Sequence, residues 1–191
     1  MAVKTMSAGG GEGKFNDGWH ELTITHAGYG VYKGPKGDRR YLNLNFDGYP
    51  DNMDLRIYEV VNKETSEEFK ISGVFKYANA GIMNLLKDPT GKKPVIQYDD
   101  EATNLVGKRV NVLFYKETKT GNGYTRMFES VAPVEQEGDP ISYSADQVTS
   151  IQTGIEKNLE RMLAKTTTVE DVGFNTNTTK TATATTNDIP F

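Results

Sequence analysis

A two-residue rhythm of apolar and polar side chains, cut into short runs by Gly- and Pro-containing turns, most restricts what this 191-residue chain can fold into. In the run Trp19–Tyr32, Leu22 and Ile24 face one way and Thr23 and Thr25 the other. In a second run Leu42, Leu44 and Phe46 alternate with Tyr41, Asn43 and Asn45. Period two fits a half-buried strand rather than a helix. The linking Lys33-Gly34-Pro35-Lys36-Gly37-Asp38 is turn chemistry, so the pair predicts a β-hairpin. One face is aliphatic, the other aromatic, amide-bearing and cationic. After a turn between Asp47 and Asp51, Leu55–Val61 predicts a third strand in which Leu55 and Ile57 oppose Arg56 and Tyr58. Val95–Tyr98 is a short strand candidate, and Lys108–Tyr115 with Tyr124–Val131 predicts a second hairpin across the Lys119–Gly123 turn. Trp19 and Phe46 are expected in the core.

Two stretches carry a helical period instead. In Thr65–Lys87, Ile71, Val74, Phe75, Ala78, Ile82 and Leu85 form one stripe, Thr65 and Glu68 make a capping box, and Asp88-Pro89-Thr90-Gly91 ends the helix. Gly73 and Gly81 weaken it by up to about 1 kcal/mol each relative to Ala. Beyond an acidic linker, Ser144 and Gln147 cap a second helix in which Val148, Ile151, Ile155, Leu159 and Met162 share a face. That face either packs back on the strands or forms the seam of a homodimer. The expected layout is a flexible arm at 1–13, a folded domain at 14–134, a linker and helix at 135–165, and a tail at 166–191. From Thr166 to Thr186 the tail is mostly Thr, Asn, Ala and Lys. It buries too little to offset the entropy of ordering it, so disorder is expected.

Several function classes drop out on composition. With no cysteine, disulfides, thiolate metal sites and a Cys nucleophile are excluded. His20 and His26 are the only imidazoles and have no carboxylate cluster beside them in the sequence, so no metal site and no cofactor are expected. Gly13-Lys14 only approximates a phosphate-binding loop, which needs Gly at Ala8 and Ser or Thr at Phe15. No enzymatic activity is expected. No run has the length of a membrane span and no signal-peptide core precedes the domain, so a soluble cytoplasmic protein without membrane contact is expected. The net charge of -4 is unevenly spread: residues 14–134 hold 17 Lys/Arg against 16 Asp/Glu, and residues 135–191 hold 4 against 9. A near-neutral body binds phosphates where its cations line one groove.

The predicted order is hairpin, strand, helix, hairpin. It resembles a mainly β, five-stranded OB-fold barrel with one helix between strands three and four, here extended by a C-terminal helix and a disordered tail. Gly28-Tyr29 in the first strand, a helix rich in Ala and Gly after strand three, and Leu105-Val106-Gly107-Lys108 before the last hairpin are similar to phage-encoded OB-fold single-stranded DNA-binding proteins. Asp188-Ile189-Pro190-Phe191 resembles the partner-binding tip of bacterial-type single-stranded DNA-binding proteins, although only Asp188 directly precedes it. The resemblance implies non-specific binding of single-stranded DNA in replication, recombination or repair. It also implies recruitment of replication or repair proteins through the tip.

Single strands need cations along a backbone track and flat side chains for stacking. The candidates are Tyr32, Lys33, Lys36, Arg39, Arg40 and Tyr41 in the first hairpin, Arg56 and Tyr58 on strand three, and Tyr115, Lys116, Lys119, Tyr124 and Arg126 in the second hairpin. The acidic tail is expected to compete weakly with DNA for this groove. The alternative is a β-barrel adaptor that acts through protein contacts alone.

Overall fold

The computed structural model describes residues 15–35, 37–87, 94–117, 124–138 and 140–170. The strands are β1 (Gly18–Gly34), β2 (Gly37–Phe46), β3 (Leu55–Tyr58), β4 (Ile82–Lys87), β5 (Pro94–Tyr98), β6 (Arg109–Glu117) and β7 (Tyr124–Ala132). The helices are α1 (Lys70–Tyr77) and α2 (Ala145–Glu170). Five strands form one antiparallel sheet in the order β3-β2-β1-β6-β7, while β4 and β5 form a separate two-stranded sheet. The edge strands β3 and β7 also touch, so the five-stranded sheet curls into a half-barrel. The chain divides into two compact units after Glu156. The strands, α1 and the first part of α2 belong to the first.

β1 organises this curl. Its Gly18–Thr23 half pairs with β6 and its Ile24–Gly34 half with β2. The register with β2 shifts between Ile24 and His26, leaving Thr25 as the extra residue of a bulge. A bulge bends and twists a strand and swaps the faces of everything beyond it. Leu22, Ile24 and Ala27 are all buried, a spacing that unbroken alternation forbids. Tyr29 then packs against the core, and Gly28, Gly30 and Tyr32 turn outward.

Inside the curl, Leu42, Leu44 and Phe46 of β2, Leu55 and Ile57 of β3, and Val110, Val112 and Phe114 of β6 meet Ile71, Val74 and Phe75 of α1. Burial of such a side chain stabilises by about 1.5–3 kcal/mol. Here the period-two pattern reads through to the structure. Trp19 does not join the core. It is half-buried on the opposite face, and its indole Nε1–H donates to Glu156 Oε1 at 2.7 Å.

The expected 65–87 helix is much shorter. α1 begins only after Glu68, whose carboxylate accepts from the backbone N–H groups of Lys70, Ile71 and Ser72 at 2.7–2.8 Å. Thr65 takes no part in that cap, since its hydroxyl bonds Glu67 instead. At the other end Asn79 (φ 49°) and Gly81 (φ 63°) adopt left-handed backbone, which breaks the helix. A Cβ at Gly81 would overlap the Asp99 carbonyl oxygen, so only glycine fits there. Ile82 and Leu85 therefore lie on β4. Short apolar runs do not distinguish a strand from a helix by period alone. On α2, Ser144 and Gln147 form the expected reciprocal cap, with Ser144 N–H donating to Gln147 Oε1 at 2.9 Å. Val148, Ile155 and Leu159 are buried, and the helix runs to Glu170, five residues past the expected boundary. The arm at 1–13 and the tail from residue 171 lie outside the described residues. No described helix is long and apolar enough to cross a membrane.

Candidate nucleic-acid interface

Because β1, β2 and β3 pair in register, their outward side chains form three rows across one face. Tyr32 stands opposite Arg39, Gly30 stands in line with Tyr41 and Tyr58, and Gly28 stands in line with Asn43 and Arg56. The Tyr41 and Tyr58 ring centroids are 5.6 Å apart, and Tyr32 meets Tyr58 edge-on at 6.3 Å. Guanidinium groups cap the rings: Arg39 lies 4.6 Å from the Tyr58 centroid and Arg56 lies 5.4 Å from that of Tyr41. Such cation–π contacts are attractive through the ring quadrupole. Tyr32 is 50% exposed, so the face is open to solvent.

Gly30 makes this arrangement sterically feasible. The Tyr41 ring lies directly across it, and a Cβ there would sit within the van der Waals radius of the ring and its hydroxyl. Gly30 thus leaves room for the ring, while the His26 imidazole lies against Gly28, with Nε2 3.5 Å from where a Cβ would sit. Neither these glycines nor Asn43 stood out as site residues in the sequence. The signal was present as Gly28-Tyr29-Gly30-Val31-Tyr32, in which the glycines share a face with Tyr32.

The cations are not equivalent. Arg39 has no carboxylate partner among the described residues. Arg56 is bonded to Asp54 at 2.8 Å, and that contact raises the guanidinium pKa above its usual value. Arg40 lies on the opposite face from Tyr41, as alternation requires. It stacks on Tyr29 at 3.8 Å and pairs with Asp100 at 3.3 Å and Glu59 at 3.8 Å. The Tyr29 hydroxyl donates to the Asp100 carbonyl oxygen, and burial, with Asp100 nearby, pushes its pKa up to about 12. This network ties β1 and β2 to the segment after β5 and does not join the three rows.

In the second hairpin, Arg126 is ion-paired with Glu117. Tyr115 rests edge-on against Phe128 at 6.3 Å, and its pKa is raised by burial. Tyr124 is 58% exposed opposite Glu117, and Lys116 is exposed opposite Thr125. No described ring contact joins Tyr115 or Tyr124 to the Tyr32–Tyr58–Tyr41 cluster. A polar cleft of about 280 Å³ lies between Asn52, Met53 and Asp54, just before β3, and Thr125, Arg126 and Met127 of β7. Lys33 lies at the end of β1, opposite Asp38. Lys36, Lys119 and the tip Asp188, Ile189, Pro190 and Phe191 lie outside the described residues. Among the described residues no cluster of His, Asp or Glu could hold a metal ion. Comparison with known proteins finds no family model that matches this chain and no curated protein similar to it.

Proposed function

We propose that this chain is a non-catalytic OB-fold protein that binds single-stranded DNA without sequence specificity across the outer face of β1, β2 and β3. The supporting observation is the chain of touching rings Tyr32, Tyr58 and Tyr41, with Arg39 and Arg56 over two of them. Unpaired bases stack on such rings at about 1–3 kcal/mol each. Arg39 and Arg56 flank the platform to meet phosphates, and the Asn52–Asp54/Thr125–Met127 cleft continues the path toward β7. The sheet order β3-β2-β1-β6-β7, with α1 following β3, fits an OB barrel. On this reading the protein is phage-encoded and acts in the host cytoplasm. It coats replication, recombination or repair intermediates and recruits partner proteins through Asp188–Phe191.

The test is fluorescence anisotropy of the full chain with labelled oligo-dT at two salt concentrations, with unlabelled duplex as competitor. Saturable binding that duplex fails to displace is expected. With two phosphate contacts the logarithmic salt slope is about -1.4. Absence of saturable binding, or equal competition by duplex, refutes the proposal. A second reading, a β-barrel adaptor that contacts only proteins, is favoured by the exposed apolar residues of β4 and β5. Met83 is 67% exposed, and Leu85, Leu86 and Val95 are 45–47% exposed. That reading expects no DNA binding in the same assay.

A further inference from the structure

In an unbroken strand His26 would follow Leu22 and Ile24 into the core. The bulge at Thr25 turns it out instead: Ala27 takes the buried position, and His26 stands exposed opposite Asn45. It therefore shares the face of Tyr32, Tyr41 and Tyr58, in the row beyond Gly28, Asn43 and Arg56. Its imidazole leans along the strand over Gly28, as the Tyr41 ring lies across Gly30, so each of these outward glycines seats a ring. The other imidazole is accounted for by the fold. His20 packs on Phe114, with ring centroids 4.7 Å apart, and its Nε2–H donates to the Asn16 carbonyl oxygen at 2.8 Å. Among the described residues His26 has no hydrogen bond, ion pair or ring partner.

We propose that the His26 ring is a fourth stacking surface, carrying the base next to the one on Tyr41. This rests on the DNA-binding reading above and lengthens its platform by one nucleotide. An imidazole, like a phenol, offers a flat π-face, and a base of any kind can lie on it. Gly28 and Gly30 are two apart on β1, about 6.5 Å, so the two seated rings are separated by one repeat of the strand. With no partner to hold it, the imidazole turns to meet a base at little cost. Its place in the sheet also fits the path. Asn45, opposite His26, donates from Nδ2 to the Asp51 carbonyl oxygen at 3.0 Å, and the loop held there runs on into Asn52, Met53 and Asp54 of the cleft. His26 thus stands on the side where a bound strand leaves the tyrosines for β7. It adds affinity without adding sequence preference.

The test uses the full-length chain carrying His26→Ala or His26→Phe. Oligo-dT affinity is titrated by anisotropy at two salt concentrations, and thermal unfolding is followed beside it. His26→Ala is expected to bind about fivefold or more weakly, the lower end for one lost stacked base, with an unchanged salt slope. Its unfolding midpoint is expected to match the wild type, because an exposed side chain without partners is removed. His26→Phe keeps a ring and discards the nitrogens, and it is expected to bind within about twofold of the wild type. A salt slope weakened by about 0.7 in both variants would make His26 a phosphate contact, and that overturns the proposal. Equal losses in both variants at unchanged slope also overturn it, since the ring would then not be what binds. If the wild type binds no oligonucleotide, the DNA-binding reading falls as well. If the wild type binds and His26→Ala binds as tightly, only the fourth surface falls.

Discussion

Substituting Gly30 by alanine isolates the contact on which the stacking platform depends. The glycine does not have left-handed backbone, so alanine is compatible with its strand conformation. Reduced freedom of the unfolded chain then stabilises by about 0.4–1 kcal/mol. The new Cβ collides with the Tyr41 ring, which must swing away and lose its contact with Tyr58, 5.6 Å between centroids. An aromatic pair contributes about 0.5–1.5 kcal/mol. The two effects nearly cancel, and the unfolding midpoint should move by only a few degrees. Binding has no such compensation. Loss of one stacked base costs about 1–3 kcal/mol, or about 5- to 150-fold in affinity for oligo-dT. A double-mutant cycle makes the reasoning strict. In a Tyr41→Ala background, Gly30→Ala should have almost no further effect on anisotropy titrations, because the ring it displaces is absent. Normal binding by Gly30→Ala, or additive losses in the double variant, would show that Tyr41 does not bear a base.

Three other outcomes follow from the same geometry. Asp54→Asn frees Arg56 from its 2.8 Å partner and removes an anion beside the path, so oligo-dT affinity at low salt should rise about 3- to 10-fold; weaker binding would mean that Asp54 orients Arg56 instead of neutralising it. Glu68→Ala removes the acceptor of three backbone N–H groups at the start of α1 and should cost about 1–3 kcal/mol, read as a lower urea midpoint with unchanged slope; an unchanged midpoint contradicts the capping role. Stability should fall as pH rises above about 10, because the Tyr29 pKa is pushed up to about 12 and those of Tyr77 and Tyr98 are also raised by burial. Unfolded phenols lose their protons near 10 while the folded ones keep them, so the stabilisation is complete below that pH and drains away toward 12. Urea midpoints at pH 8, 9.5, 10.5 and 11 check this, and a flat profile contradicts it.

Much of the candidate site was legible in the sequence because strand periodicity is a local property. Tyr41 and Tyr58 follow from alternation with Leu42 and Ile57, and the structure puts them side by side. Arg40 follows from the same rule: it is adjacent to Tyr41 and therefore belongs to the opposite face. Composition marked it as a cation, but only its stacking on Tyr29 and pairing with Asp100 show that it is occupied elsewhere. Arg126 is similar, since its partner Glu117 lies across the hairpin. The helix boundary failed for a different reason. Residues 82–87 have apolar spacings that suit either helix or strand, and the contest was decided by the left-handed turn at Asn79–Gly81 and by pairing with β5.

The amino-acid sequence by itself determined which residues of β2 and β3 are buried together, where β1 turns into β2, and that Ser144 caps α2. These depend on periods, turn residues and caps within a few positions of one another. The tertiary structure alone decided which of two faces Tyr32 joins. One inserted residue at Thr25 reverses the parity of β1, and local patterning on either side of a bulge looks equally regular. It also decided that Tyr41 lies across Gly30 and that Asn43 finds no partner, because both depend on the register between strands far apart in the chain.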